Sequence, residues 1–109
     1  VSYSEIHARD LSSLGNVAVI DVREIDEYLS GHVPGAINFP LSTLVENFSS
    51  IPMHETLYVV CQVGGRSARA CEFLSQQEQF SHCSLINVQG GTGAWILEGN
   101  EVVTGDSPN

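Results

Sequence analysis

The residues best equipped for chemistry are Cys61 and the run that follows it, Gln62-Val63-Gly64-Gly65-Arg66-Ser67. Cys61 closes the most apolar stretch of the chain, Leu57-Tyr58-Val59-Val60-Cys61, and Arg66 opens a segment with helical spacing. The expected local structure is therefore strand, loop and helix, with the loop at the carboxyl end of a buried strand. Two adjacent glycines let such a loop curl through dihedrals closed to other residues, so several backbone N–H groups can converge on one point. That point is Cys61. The helix N-terminus and the guanidinium groups of Arg66 and Arg69 add positive potential, which favours a thiolate. The predicted chemistry is nucleophilic attack by Cys61, with Gln62 through Ser67, Arg69 and Arg23 around the substrate.

The remaining candidates are weaker. Asp21 and Arg23 close another apolar run, and Arg23 is placed in the pocket wall, with a structural pairing to Asp21 as the alternative. His32 reads as a turn-stabilising residue, because an attacking thiolate needs no proton removed. His7, His54 and His82 share no metal-ligand spacing, so no metal site is expected. Cys71, beside Ala70 and three residues before Leu74, reads as a small buried residue on the inner side of its helix; a thiol that resolves a Cys61 intermediate is the alternative. Cys83 reads as structural. Trp95, with Ala94 and Ile96, is expected to pack the last helix onto the sheet.

These side chains need a scaffold, and the apolar pattern supplies one. Val17 to Val22, Leu57 to Cys61 and Cys83 to Val88 are near-continuous apolar runs, the pattern of parallel strands buried on both faces. Between the last two, Arg66 to Gln79 carries Ala70, Phe73, Leu74 and Gln77 at helical spacing, which predicts a right-handed strand, helix, strand crossover. Ser2 with Glu5 three residues on, followed by Ile6, Ala8, Leu11 and Leu14, predicts a capped helix over 2–13. Ile25 to Ser30 reads as a short helix stopped by Gly31, and Pro34-Gly35 as a type II turn. Ala36 to Phe39 reads as a short strand, and Leu41 to Phe48 and Thr92 to Gly99 as helices. Gly105 to Asn109 reads as a frayed tail.

With 109 residues and 42% hydrophobic composition, the chain has the size and make-up of one ordinary globular domain. Four Arg and no Lys stand against thirteen Asp and Glu, a net charge of −9 that repels phosphate backbones and anionic lipid. Nucleic acid and membrane are thus not expected partners, and a small anion would need a concentrated local site. There is no apolar run of membrane-spanning length and no signal-peptide pattern, so the expected location is cytoplasmic. Three cysteines without Cys-x-x-Cys spacing argue against a disulfide framework or structural zinc, and leave at least one thiol free.

The motifs together resemble a known family. Cys61-x-x-Gly64-x-Arg66-Ser67 is similar to the active-site loop of the rhodanese-like sulfurtransferases. Asp21-Val22-Arg23 resembles their Asp-x-Arg motif. Glu27-Tyr28 with Gly31-His32-Val33-Pro34-Gly35-Ala36-Ile37-Asn38 resembles their most recognisable segment, and Gly90-Gly91 with Ala94-Trp95 their closing motif. The matches fall in family order from about Val17 to Trp95.

The resemblance implies a three-layer α/β/α domain with a five-stranded parallel sheet over residues 1–104, followed by a flexible tail at 105–109. It implies sulfur transfer: Cys61 takes the outer sulfur of a donor such as thiosulfate or a low-molecular-weight persulfide, holds it as a persulfide, and passes it to a thiol or other thiophilic acceptor. No cofactor is implied, and a sulfur-relay protein is a possible partner. The family's sulfur-transferring loops run six residues from cysteine to the last basic position, as Cys61 to Arg66 does, whereas related phosphatases and arsenate reductases have one more. Gln62 and Val63 are neutral where members that use thiosulfate well often carry a basic residue. A non-catalytic rhodanese-like binding module, and less favoured a cysteine phosphatase or arsenate reductase, are the alternatives.

Overall fold

The computed structural model describes residues 2–109; the expected domain start at residue 1 lies outside them. Five strands form one parallel sheet in the order β1-β5-β4-β2-β3, with β1 Ser4–His7, β2 Val19–Asp21, β3 Ile37–Asn38, β4 Thr56–Val60 and β5 Ser84–Gln89. The helices are α1 Ala8–Leu11, α2 Ile25–Ser30, α3 Leu44–Asn47, α4 Gly65–Ser75 and α5 Gly91–Leu97.

Strand side chains alternate between two cores, as the period of two requires. Ile20, Val22, Leu57, Val59 and Leu85 pack beneath α3 and α4, against Leu44, Ala70, Cys71 and Leu74. Val19, Val60 and Val88 face the other way, onto Ala8 and Leu11 of α1 and Tyr28 of α2, with Trp95 of α5 at the edge. Both sheet faces are covered, which is why the central strands read as unbroken apolar runs rather than alternating ones. The expected three-layer architecture and five-stranded parallel sheet are what the chain adopts.

The first segment differs from expectation. Residues 2–13 are not one helix: Ser4–His7 is an edge strand paired with β5 from Ser4 opposite Ile86 to His7 opposite Gln89, and only Ala8–Leu11 is helical. Glu5, expected to cap a helix, instead accepts hydrogen bonds from Asn87 Nδ2 and Gln89 Nε2 across the strand pair. Long-range pairing to the edge of a buried sheet overrides a local capping signal here.

Smaller differences follow the same logic. The helix expected over 41–48 is interrupted, with 3₁₀ turns at Leu41–Thr43 and Phe48–Ser50 flanking the single turn of α3. Helix α4 ends at Ser75, so Gln77 leaves its face, and Ile96 of α5 is exposed rather than packed. The segment expected to fray is hydrogen-bonded to the body: Gly105 N–H donates to Leu29 O, Gly35 N–H to Pro108 O, and His32 Nε2 lies 2.9 Å from Ser107 O. His32 is fully buried, stacked on Tyr28 with ring centroids 3.7 Å apart, which fits its structural reading. No helix among the described residues is long and apolar enough to cross a membrane.

Candidate active site

Strand β4 runs straight into Cys61, and Gly64, at φ +118°, turns the chain back into α4. A left-handed residue is needed at that corner, and glycine adopts it without a Cβ penalty. The turn brings Gly64 N–H to 3.1 Å from Cys61 Sγ and Ser67 Oγ to 3.3 Å. Cys61 is 1% exposed, so its sulfur lies at the floor of the loop rather than on its rim.

Burial alone pushes the Cys61 thiol up. The Ser67 hydroxyl and the backbone N–H groups of Ser67, Gly64 and Val63 outweigh burial, and the net result is a thiol held below its ordinary value. Cys71 has no such donor, and Cys83 has only the backbone N–H of Leu57. Burial pushes Cys71 up to about 12 and also raises Cys83.

Convergent N–H groups require that the loop's carbonyls point elsewhere, and the start of α5 takes them. Thr92 N–H donates to Cys61 O at 2.9 Å, Gly93 N–H to Gln62 O at 3.0 Å and Gly90 N–H to Val63 O at 3.1 Å. So close an approach of two backbones is possible only because position 91 has no side chain: a Cβ there would lie 2.4 Å from Cys61 O. The Gly90-Gly91 pair therefore supports the Cys61 loop directly.

Ser67 and Asn87 form a buried relay behind the sulfur. Asn87 Nδ2 donates to Glu5 Oε2 and Gly64 O, which turns its Oδ1 toward the Ser67 hydroxyl. That hydroxyl has one proton. While Cys61 is a thiol, it can donate to Ser67 and leave the hydroxyl proton on Asn87; once Cys61 ionises, the same proton is the one available to the thiolate. Ser67→Ala is expected to raise the Cys61 pKa and move the pH profile of iodoacetamide alkylation upward. A profile identical to wild type would show that the backbone N–H groups suffice.

Arg66 and Arg69 sit where expected, closing the loop and one turn along α4, and Arg23 takes the alternative given for it, pairing with Asp21. Arg23 is buried, with its guanidinium 2.9 Å from Asp21 Oδ2, 2.7 Å from Gly31 O and 3.3 Å from Gln62 Oε1. It reaches the loop only through Gln62 and does not stand as an open wall of the pocket. Arg66 stands at the end of the loop, bound through both forks to Glu27 at 2.7 and 2.9 Å. Arg69 is exposed, one turn along α4, and Val63 is 72% exposed at the loop's tip. Glu27 and Asn87 are the site residues that sequence reasoning missed. Glu27 stood only as part of a motif, and Asn87 was signalled by a polar residue amid the apolar run of β5. Among the described residues no cluster of three or more metal-ligating side chains occurs.

Comparison with known proteins agrees with this architecture. The profile of the rhodanese-like domain matches residues 6–98. A sulfurtransferase of Allochromatium vinosum is 30% identical over 92% of this chain and 91% of its own. A Bacillus subtilis relative, 29% identical, is matched over 84% of this chain but 48% of its own length. Among solved structures, a rhodanese-related protein from Thermoplasma volcanium superposes with a TM-score of 0.81 at 38% identity, covering 93% of this chain and 98% of that one. A rhodanese-like domain protein from Staphylococcus aureus gives 0.75 at 31% identity, with 93% and 97% covered.

Proposed function

Because this chain belongs to the rhodanese-like domain family, we propose that it is a sulfurtransferase in which Cys61 carries the sulfur as a persulfide. The observation that carries this reading is the set of N–H groups on Cys61 Sγ, with Gly64 N–H at 3.1 Å, which lowers the pKa of a buried thiol and so favours its thiolate. The Cys61 thiolate attacks the outer, sulfane sulfur of a donor. A new S–S bond forms at Sγ, the donor's own S–S bond breaks, and its electron pair leaves with the departing thiolate or sulfite.

The product, Cys–S–S⁻, carries its charge one atom further out, toward the loop's amides. Those amides are preorganised, so the negative sulfur is stabilised without rearrangement at the moment of transfer. Attack on the outer sulfur by an acceptor thiolate then returns Cys61 and completes the cycle. Because the attacking species is the thiolate, the transfer step itself requires no general base, which agrees with a buried, structurally bonded His32.

The test is an intact-mass spectrum after incubation with glutathione persulfide or thiosulfate. The wild-type protein is expected to gain one sulfur atom and lose it on addition of an acceptor thiol. A spectrum unchanged by both donors, or brisk hydrolysis of p-nitrophenyl phosphate, would defeat the reading.

A further inference from the structure

A cation at the mouth of a thiolate site ordinarily recruits anions. Three arginines lie on or beside this loop, yet two of them are already neutralised. Arg23 is paired with Asp21 in the interior. Arg66, within Coulombic reach of the Cys61 thiolate, is held through both forks by Glu27, in a pair that is partly exposed at 30% and 33%. A bidentate guanidinium–carboxylate pair uses the donors that would otherwise grip a sulfonate or sulfate-like group.

Glu27 is fixed there by its own helix. Its side chain accepts from Glu24 N–H at 3.1 Å, the capping box that starts α2, so the carboxylate meets Arg66 from a rigid first turn. Arg66 holds the Glu27 carboxyl down at about 2, so the carboxylate stays charged throughout the neutral range. Glu24, anchored to Ser42, contributes a second negative charge in the field of Arg66. The loop's exposed tip, Val63, is apolar, and Gln62 is neutral.

We propose that Glu27 is a specificity-determining residue: by occupying both forks of Arg66 it cancels the cation of the loop, setting the site against dianionic donors and in favour of low-molecular-weight persulfides. The inference rests on the Cys61 sulfur-transfer reading and adds its donor class. Thiosulfate brings two negative charges and releases sulfite with two, beside a site whose local pairs sum to zero. A protonated persulfide, RS–SH, arrives without charge at its reacting sulfurs. Its outer sulfur joins Sγ as Cys–S–SH, and the electron pair of the broken S–S bond leaves with RS⁻.

The experiment measures kcat/KM for sulfur loading from sodium thiosulfate and from cysteine persulfide in wild type, Glu27→Gln and Glu27→Asp. Gln retains the carbonyl oxygen that accepts from Glu24 N–H while removing the charge. Wild type is expected to favour cysteine persulfide. Glu27→Gln should raise the thiosulfate-to-persulfide ratio about tenfold, chiefly through a lower KM for thiosulfate, a change of about 1.4 kcal/mol. Glu27→Asp, which keeps the charge, should retain the wild-type ratio. Glu27→Ala removes the same charge and serves as the second variant if the Gln protein does not fold. Loading from either donor with a ratio unmoved by charge removal, or a wild type that prefers thiosulfate, overturns this inference alone. A wild type that loads from neither donor overturns the sulfur-transfer reading beneath it.

Discussion

Cys61→Ser should lower sulfur loading by about ten-thousandfold or more, the scale on which removing a nucleophile acts. A serine hydroxyl stays protonated among the same N–H groups, because donors that lower a thiol's pKa cannot bring an alcohol's into the neutral range. The chain holds two more thiols, and each has a structural reason not to substitute. Cys71 is fully buried in α4, and a pKa of about 12 leaves about one part in 10⁵ ionised at pH 7. Cys83 precedes β5, at the amino ends of the parallel strands, whereas Cys61 follows β4 at their carboxyl ends. Loading rates by intact mass check the expectation. A Cys61→Ser protein retaining more than about 1% of the wild-type rate would move the nucleophile to another thiol.

The candidate loop around Cys61 was legible in the sequence because the features that shape it are local. A buried parallel strand must be apolar at every position, so β4 announces itself. A helix following within a few residues must be preceded by a turn, and Gly64-Gly65 marks it. The edge strand β1 was not legible, since its four residues mimic a helix cap and its partner lies some eighty residues away in sequence. The electrostatics were legible only in part. Arg66 was visible as a cation, but Glu27, its counter-ion, is 39 residues distant, and no local rule joins them. The same holds for Asn87 behind Ser67 and for the carbonyls that α5 draws away from the cradle. Sequence thus singled out the loop around Cys61 as the candidate site, while the charge balance around it emerged only with the fold.

That dependence of the cradle on a distant segment leads to the second large effect, expected for Gly91→Ala. Position 91 has φ +59°, which costs a residue with a Cβ about 1–2 kcal/mol. The new Cβ would also lie 2.4 Å from Cys61 O, 2.6 Å from Gln62 O and 2.7 Å from Gln62 C. All three are backbone atoms, so relief requires moving the loop, and overpacking of this kind adds about 1–3 kcal/mol. The combined loss of about 2–5 kcal/mol is a large fraction of the stability of so small a domain. The chemistry should suffer separately. When α5 is pushed back, the bonds from Thr92, Gly93 and Gly90 to the loop carbonyls lengthen, the amides are no longer held toward Sγ, and the Cys61 thiol rises. Gly99→Ala separates the two causes, because Gly99 has φ +84° but open space around its Cβ position. It should show only the backbone cost, with an unaltered alkylation profile for Cys61. Urea unfolding and iodoacetamide alkylation against pH, run on both variants, decide the matter. Equal destabilisation in the two proteins, or a Cys61 profile unmoved in Gly91→Ala, would mean that α5 supports the fold without shaping the cradle.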